Sequence, residues 1–221
     1  MREKVILSFS GGKDSILALY HLKKDKKIKV VGLFTTINNY YKRVSIQGIR
    51  ETLLKKQVKL LNIPLKIAYL PKRVSNKEYQ RIMLKNLKSY LIKRGIDSIA
   101  FGDIFLEDVK RYREENLSKI GIKALFPLWR KDTKNLAQRF IRLGFKAKII
   151  SVSSSHKRLK KFLGEDFNEL FLAEIKNNID PCGERGEFHT LVYDGPLFKQ
   201  PLKFKLGKKI LKNGNYYIDC F

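Results

Sequence analysis

The run Val5-Ile6-Leu7-Ser8-Phe9 is apolar and β-prone. Ser10-Gly11-Gly12-Lys13-Asp14-Ser15 follows at once, and then Ile16, Leu17, Leu19, Tyr20 and Leu22 recur at helical spacing. A buried strand that passes through a glycine turn into a helix belongs to a layered α/β arrangement. It is also an anion site on physical grounds. The amides of a helix's first turn lack intrahelical partners and point at whatever stands before the helix. Gly11 and Gly12 let a phosphate approach the backbone, Ser10 and Ser15 offer hydroxyls, and Lys13 offers a cation. Asp14 is out of place beside a polyanion unless Mg²⁺ bridges the two, which makes it the candidate metal ligand. The spacing is neither GxxxxGK[ST] nor GxGxxG.

The alternation continues. Residues 30–34, 65–70 and 98–101 read as buried strands, and residues 49–61, 76–94 and 107–120 as helices. That pattern predicts a parallel sheet of about five strands covered on both faces, with ligands at the carboxyl ends of the strands. Three loops sit there: 10–15, 35 onward and 102 onward. Phe34, Thr35, Phe101 and Gly102, at strand ends, are the candidates for reading a nucleotide base. Beyond Gly121 the alternation weakens. Helices are expected at 132–143 and 167–175, strands at 147–152 and 188–193, a turn-rich loop at 177–187, and a hairpin over 204–221 turning at Asn213-Gly214. The expected division is therefore a nucleotide-binding part, 1–121, and a smaller mixed α+β part, 122–221, that binds the other substrate.

The later half concentrates charge that a core does not need. Asp103 follows a strand directly. Glu107, Arg111 and Glu114 share one helix face at i, i+4 and i+7, with Arg113 beside them. Trp129, the only tryptophan, lies in Pro127-Leu128-Trp129-Arg130. Gly183, Glu184, Gly186, Glu187, His189 and Thr190 precede or begin a strand, where a carboxylate or imidazole can take a proton from an amine. Lys13, Asp14, Asp103, Glu184 and Glu187 are the candidate catalytic residues. The candidates for holding the second substrate are Glu107, Arg111, Arg113, Glu114, Trp129, Gly183, Gly186, His189 and Thr190. An exposed ion-paired helix, a tryptophan packing a junction and a carboxylate-capped hairpin are the plain structural readings of the same clusters.

In order along the chain, SGGKDS (10–15), GDI (102–104), YREENL (112–117), PLW (127–129), FLG (162–164) and CGERGEFHTLVYDGPLF (182–198) resemble the diphthine–ammonia ligase family. The first of these resembles the loop of the N-type ATP pyrophosphatases. The resemblance spans about residues 4–198. It implies an adenine nucleotide alpha hydrolase-like sandwich, ATP and Mg²⁺, and cleavage of ATP to AMP and pyrophosphate with adenylation of a carboxylate. It also implies amidation with ammonia of diphthine on elongation factor 2. His189 stands where the family usually has an acidic residue, and 105–116 lacks the family's usual short SDYQ-like stretch, so the chain reads as a sister branch.

Two other function classes stay open at this point. With 47 Lys and Arg against 21 Asp and Glu, the formal charge is +26, which suits polyanions. That keeps tRNA open as a partner of an ATP-dependent thiolase or lysidine-type ligase, and Cys182 as a nucleophile or sulfur carrier. A non-catalytic nucleotide-binding protein is the other. Cys182 and Cys220 make no zinc set with three histidines. No apolar run approaches the ~20 residues of a membrane span, and no leader peptide is expected. The expected setting is the cytoplasm, with an oligomer left open.

Overall fold

The computed structural model describes residues 2–45, 47–92, 94–175, 178–212 and 214–221. The first sheet contains β1 (Glu3–Ser8), β2 (Ile28–Asn38), β3 (Arg43–Val44), β4 (Leu65–Leu70), β5 (Ser98–Ala100) and β6 (Lys123–Leu125). Every pairing is parallel except that of β2 with β3. Leu33 and Phe34 of β2 pair with Leu7 and Ser8 of β1 and also with Leu65 and Lys66 of β4, so β1 and β4 occupy opposite edges of β2. Ile37 and Asn38 pair with both β3 and β4. The short β3 therefore continues the β1 edge past the point where β1 stops, and it overhangs the loop that β1 feeds.

The connections are helical: α1 (Lys13–Lys24), α2 (Glu51–Leu61), α3 (Asn76–Ile92) and α4 (Glu107–Ser118). The chain runs outward from β1 through β2 to β4, then returns to β5 on the other side of β1. Such a reversal opens a crevice at the carboxyl ends of the two strands where it occurs, here β1 and β5. Helix α2 shows how the sequence builds a layer. Leu53, Leu54, Val58 and Leu61 are buried on one face, and Asn62 ends the helix in the left-handed region (φ 54°) before Pro64.

The second sheet is antiparallel, in the order β8-β7-β10-β9, where β7 is Lys146–Ser153, β8 Phe188–Asp194, β9 Leu206–Lys212 and β10 Asn215–Cys220. Helices α5 (Thr133–Arg142) and α6 (Glu169–Glu174) and a 3-10 segment (Ser154–Phe162) accompany it. One hydrophobic cluster runs from the α1 and α2 side of the first sheet into this second sheet. Phe140, Phe145, Phe167, Phe171 and Phe188 join it through ring contacts of 5.0 to 5.9 Å. A separate cluster lies beneath α3 and α4.

The two sheets are also clamped at the surface. Asp219 of β10 accepts from Arg43 Nη2 (2.8 Å) and from Arg50 Nε (3.0 Å) and Nη2. The two guanidiniums, Arg50 first, outweigh burial and hold the Asp219 carboxyl down at about 2. Among the described residues no helix is long and apolar enough to cross a membrane.

The structure differs from the sequence reading in three places. Strand β6 pairs with β5, so the first sheet runs past Gly121 to Leu125. Residues 35–45 read as an irregular loop, but β2 continues to Asn38 and Arg43–Val44 forms β3, because both pair along β2's register. The 3-10 segment had no expectation. The hairpin over 204–221 forms as β9 and β10, but Asn213 of its turn, and residue 177 of the 177–187 loop, lie outside the described residues.

Candidate active site

The end of β1 opens directly into the crevice. Phe9 N donates to Phe34 O at 2.7 Å, extending the ladder by one residue. Gly11 then takes φ +84°, and a Cβ there would stand 2.7 Å from Gln57 Oε1, so only glycine serves. Gly12 caps α1 with extended backbone. Gln57 of α2 donates through Nε2 to Gly11 O (3.0 Å) and Val192 O (2.6 Å), and Val192 N donates to Gly11 O at 3.1 Å. The loop is thus held between α2 and β8. Its hydroxyls form a chain in which Gln47 Nε2 donates to Ser10 Oγ (3.1 Å), Ser10 Oγ to Ser15 Oγ (3.3 Å) and Ser15 Oγ to Gly12 O (2.9 Å).

Above the loop lies a cleft of about 460 Å³. Ser10, Asp14 and Ser15 form its floor, and Phe34, Thr35 and Thr36 of β2 one wall. Phe101, Gly102, Asp103 and Arg113 form the opposite wall, and Gly183, Glu184 and His189 approach from the second sheet. The structure therefore gathers most of the expected nucleotide residues with Arg113, Gly183 and His189 of the expected second-substrate set and Glu184 of the expected catalytic set. Arg113 faces inward, stacked over Phe101 (4.2 Å to the centroid) and paired with both oxygens of Asp103 at 3.1 and 2.7 Å.

Lys13 differs from expectation. Its side chain is 4% exposed and is not part of the cleft wall. It donates to both oxygens of Asp14 (2.9 and 2.8 Å) and to the Cys182 carbonyl, and stands over Phe188 at 5.3 Å. Burial would lower its pKa, but the Asp14 carboxylate overrides this and the net shift is upward, so it stays charged. The side chain turns inward because the loop before β8 supplies the Cys182 carbonyl there and Phe167 and Phe188 supply aromatic faces. Its backbone is tied the same way, Lys13 N donating to Thr190 Oγ1 at 3.0 Å.

Glu184 reaches back across the cleft, where its Oε1 accepts from Ile104 N at 2.8 Å. Burial first, with Asp14 and Asp103 adding to it, raises its carboxyl to about 7. Burial, with Lys13 second, lowers His189 to about 4, so this imidazole is neutral near pH 7. The Cys182 thiol, buried and donating to Thr133 O at 3.3 Å, is pushed upward by desolvation, which suits packing rather than nucleophilic attack.

The remaining expected residues stand outside the cleft. Glu107 pairs with Arg130 (2.9 Å) and Glu114 with Lys110 (3.1 Å), and Arg111 is exposed on the same solvent face of α4. Trp129 packs on Phe126 with Lys110 over its ring at 5.2 Å. Both Glu187 oxygens accept backbone amides, from Asp180 and Arg185, each at 3.0 Å, so this carboxylate braces its own loop. Thr190 is spent on Lys13 N, and Gly186 (φ +86°) turns the loop. Gln47, Tyr79 and Met83, which also line the cleft, were missed. Tyr79 and Met83 share a face of α3 at i, i+4, a signal that reads as ordinary core.

Gly102 sets how near the end of β5 comes to Asp14 and Ser15 at the start of α1. A Cβ on it would meet backbone atoms of Asp14 and Ser15 at 3.1 to 3.2 Å. Gly102→Ala is expected to push the loop away and weaken ATP binding about tenfold or more, with the melting temperature nearly unchanged. Calorimetric titration with ATP beside a thermal melt checks this.

Two family models match the chain, the diphthamide synthase N-terminal domain over residues 3–124 and the diphthamide synthase C-terminal domain over residues 132–220. Curated relatives include the diphthine–ammonia ligase of Schizosaccharomyces pombe, 38% identical over 50% of this chain and 20% of that protein. That of Danio rerio is 34% identical over 54% and 48%, and that of Homo sapiens 32% identical over 52% and 45%. These matches span about half of each relative's length or less. Among solved structures, a U34-tRNA thiolase of Methanococcus maripaludis aligns with 64% of this chain and 58% of its own at 21% identity and a TM-score of 0.40.

Proposed function

The chain belongs to the diphthamide synthase family, and on that premise we propose that it is an ATP-dependent amide-forming ligase acting on diphthine of elongation factor 2. The reaction turns a carboxylate, ammonium and ATP into an amide, AMP and pyrophosphate. One carboxylate oxygen leaves with AMP. The observation that carries the reading is the meeting of the phosphate loop with Glu184 and His189 in one cleft. A cradle alone would suit any nucleotide binder, but a buried carboxyl poised near 7 beside it suits proton transfer from an amine.

The roles divide as follows. Ser10, Gly11, Gly12 and Ser15 hold the phosphates of ATP through amides and hydroxyls. Phe34, Thr35, Phe101 and Gly102 border the base and ribose. Arg113, fixed by Asp103, faces the charge that develops on the phosphoryl oxygens. Asp14, a quarter exposed to the cleft, is a fitting ligand for Mg²⁺. That ion takes one or two carboxylates together with substrate phosphates, not an all-protein cage, and among the described residues no cluster of three such ligands exists. Bound there, Mg²⁺ would neutralise phosphate charge. Glu184 takes the proton from ammonium, and the neutral His189 orients the acceptor carboxylate by hydrogen bonding. The first sheet, which runs on to Leu125, serves the nucleotide, and the second sheet with its helices serves the acceptor.

The test is reconstitution. The purified protein is incubated with ATP, Mg²⁺, ammonium and elongation factor 2 bearing diphthine. Pyrophosphate release equal to the amide formed, followed by mass spectrometry of the acceptor, is the expected result. ATP that binds but yields neither product with this acceptor overturns the assignment.

A further inference from the structure

Asn38, at the end of β2, lines the cleft and also organises what lies outside it. Its Oδ1 accepts from Tyr40 N and Tyr41 N at 3.1 Å each, and its Nδ2 donates to the carbonyls of Pro71 (3.1 Å) and Lys72 (3.3 Å). Two tyrosines are thereby held at the cleft rim, and Tyr40 is 64% exposed. Their rings meet edge to face at 5.0 Å. Lys72 stands over Tyr40 at 4.1 Å and Lys212, at the end of β9, over Tyr41 at 4.4 Å. Ile210, half exposed, pairs in register with Tyr217, which packs against Gly48. A continuous strip of tyrosine, lysine and isoleucine thus runs from the mouth of the cleft onto the edge of the second sheet.

That edge is open. Among the described residues no strand pairs with the outer side of β9. Leu206, Ile210 and Leu211 are exposed along it, so it offers backbone donors and acceptors together with apolar contact. Lys208, Lys209 and Lys212 on the same strand would face one another if two copies paired edge to edge, and like charges across a ladder oppose that pairing. They favour carboxylates. One face of both Tyr40 and Tyr41 is already taken by an ammonium, which leaves less for base stacking than a nucleic-acid platform offers.

We propose that this strip docks the protein that carries the acceptor carboxylate, through an acidic, extended segment that adds a strand to β9. The proposal rests on the amidation reading and extends it. The docked segment lies against β9, the Tyr40-Tyr41 pair grips its near end, and Asn38 sets that pair at the distance from which the acceptor enters the cleft.

Two variants test it in steady-state amidation of elongation factor 2 bearing diphthine. One is Tyr40→Ser with Tyr41→Ser, and the other Lys209→Glu with Lys212→Glu. Both alter exposed side chains, and unchanged melting curves are confirmed first. Each is expected to raise KM for the protein acceptor about tenfold or more, leaving kcat and KM for ATP within about twofold of wild type. The charge-reversed variant is also expected to lose most of the salt dependence of KM. An unchanged acceptor KM in both variants overturns the docking surface while leaving the activity intact. So does a loss confined to tRNA binding, or to self-association seen by size-exclusion chromatography. If the wild-type protein fails to amidate the acceptor, the ligase reading falls first and this one with it.

Discussion

A Lys13→Met protein is expected to lose pyrophosphate release by about a thousandfold and to melt well below the wild type. Both effects follow from where the ammonium lies. It is sealed against Phe188, holds both oxygens of Asp14 and holds the Cys182 carbonyl. Removing one partner of such a buried pair costs about 3–5 kcal/mol, because the other charge loses its compensation. Asp14 keeps a quarter of its side chain in the cleft, which moves the expectation to the lower end. The loss of rate has a different origin. Freed from Lys13, Asp14 no longer keeps one orientation at the phosphates, and the 180–187 loop that carries Glu184 loses its anchor on α1. Misplacing two groups at once gives the large factor. Pyrophosphate release measured below the variant's own melting temperature separates the two effects. Wild-type turnover in a destabilised variant would show that Lys13 serves only the fold.

Glu184→Gln should act through pH. Burial, reinforced by Asp14 and Asp103, raises the Glu184 carboxyl from about 4.5 to about 7. Between those values the folded chain keeps a proton that the unfolded chain has released. Stability therefore falls as pH rises across that window, and it is fully present only below about 4.5. Glutamine cannot ionise, so the variant's stability should be flatter across the same range. Activity should run the opposite way. The ionised carboxylate is the form that accepts a proton, so the wild-type rate should climb with pH through about 7. The variant should lack that limb and be slower by about 10² to 10⁴. A variant that keeps the rising limb would move the base to another group.

Where the sequence is strongly periodic, the fold is legible. The run before Ser10, the α2 face and residues 65–70 all form as their patterns demand. Strand β3 has two residues and β6 three, too few for any period to register. The 3-10 segment is Ser-Ser-His followed by basic residues, with only Leu159 buried, and carries no apolar signal. In the site, residue type was legible and direction was not. Glu107, Arg111 and Glu114 share a face by helical spacing, yet the face that turns to the cleft is the one with Arg113. What decides this is Asp103, ten residues earlier, together with Phe101. Likewise nothing in SGGKDS says that the Lys13 side chain turns away from the cleft. That follows from a carbonyl 169 residues further on.

The bond from Lys13 N to Thr190 Oγ1 spans 177 residues, and this bears on how the protein comes into being. Residues 10–15, on the floor of the cleft, are made well before the residues that steady them. Until β8 has been made and docked, residues 10–15 have neither Thr190 nor the Val192 contacts to hold their shape. Loop closure over that separation also makes this a slow, late step of folding. The floor of the cleft is therefore expected to take its final shape only once β8 has docked on residues 10–15. ATP added during refolding should leave the early phases unchanged and favour the last one, drawing the completed protein out of its partly assembled forms.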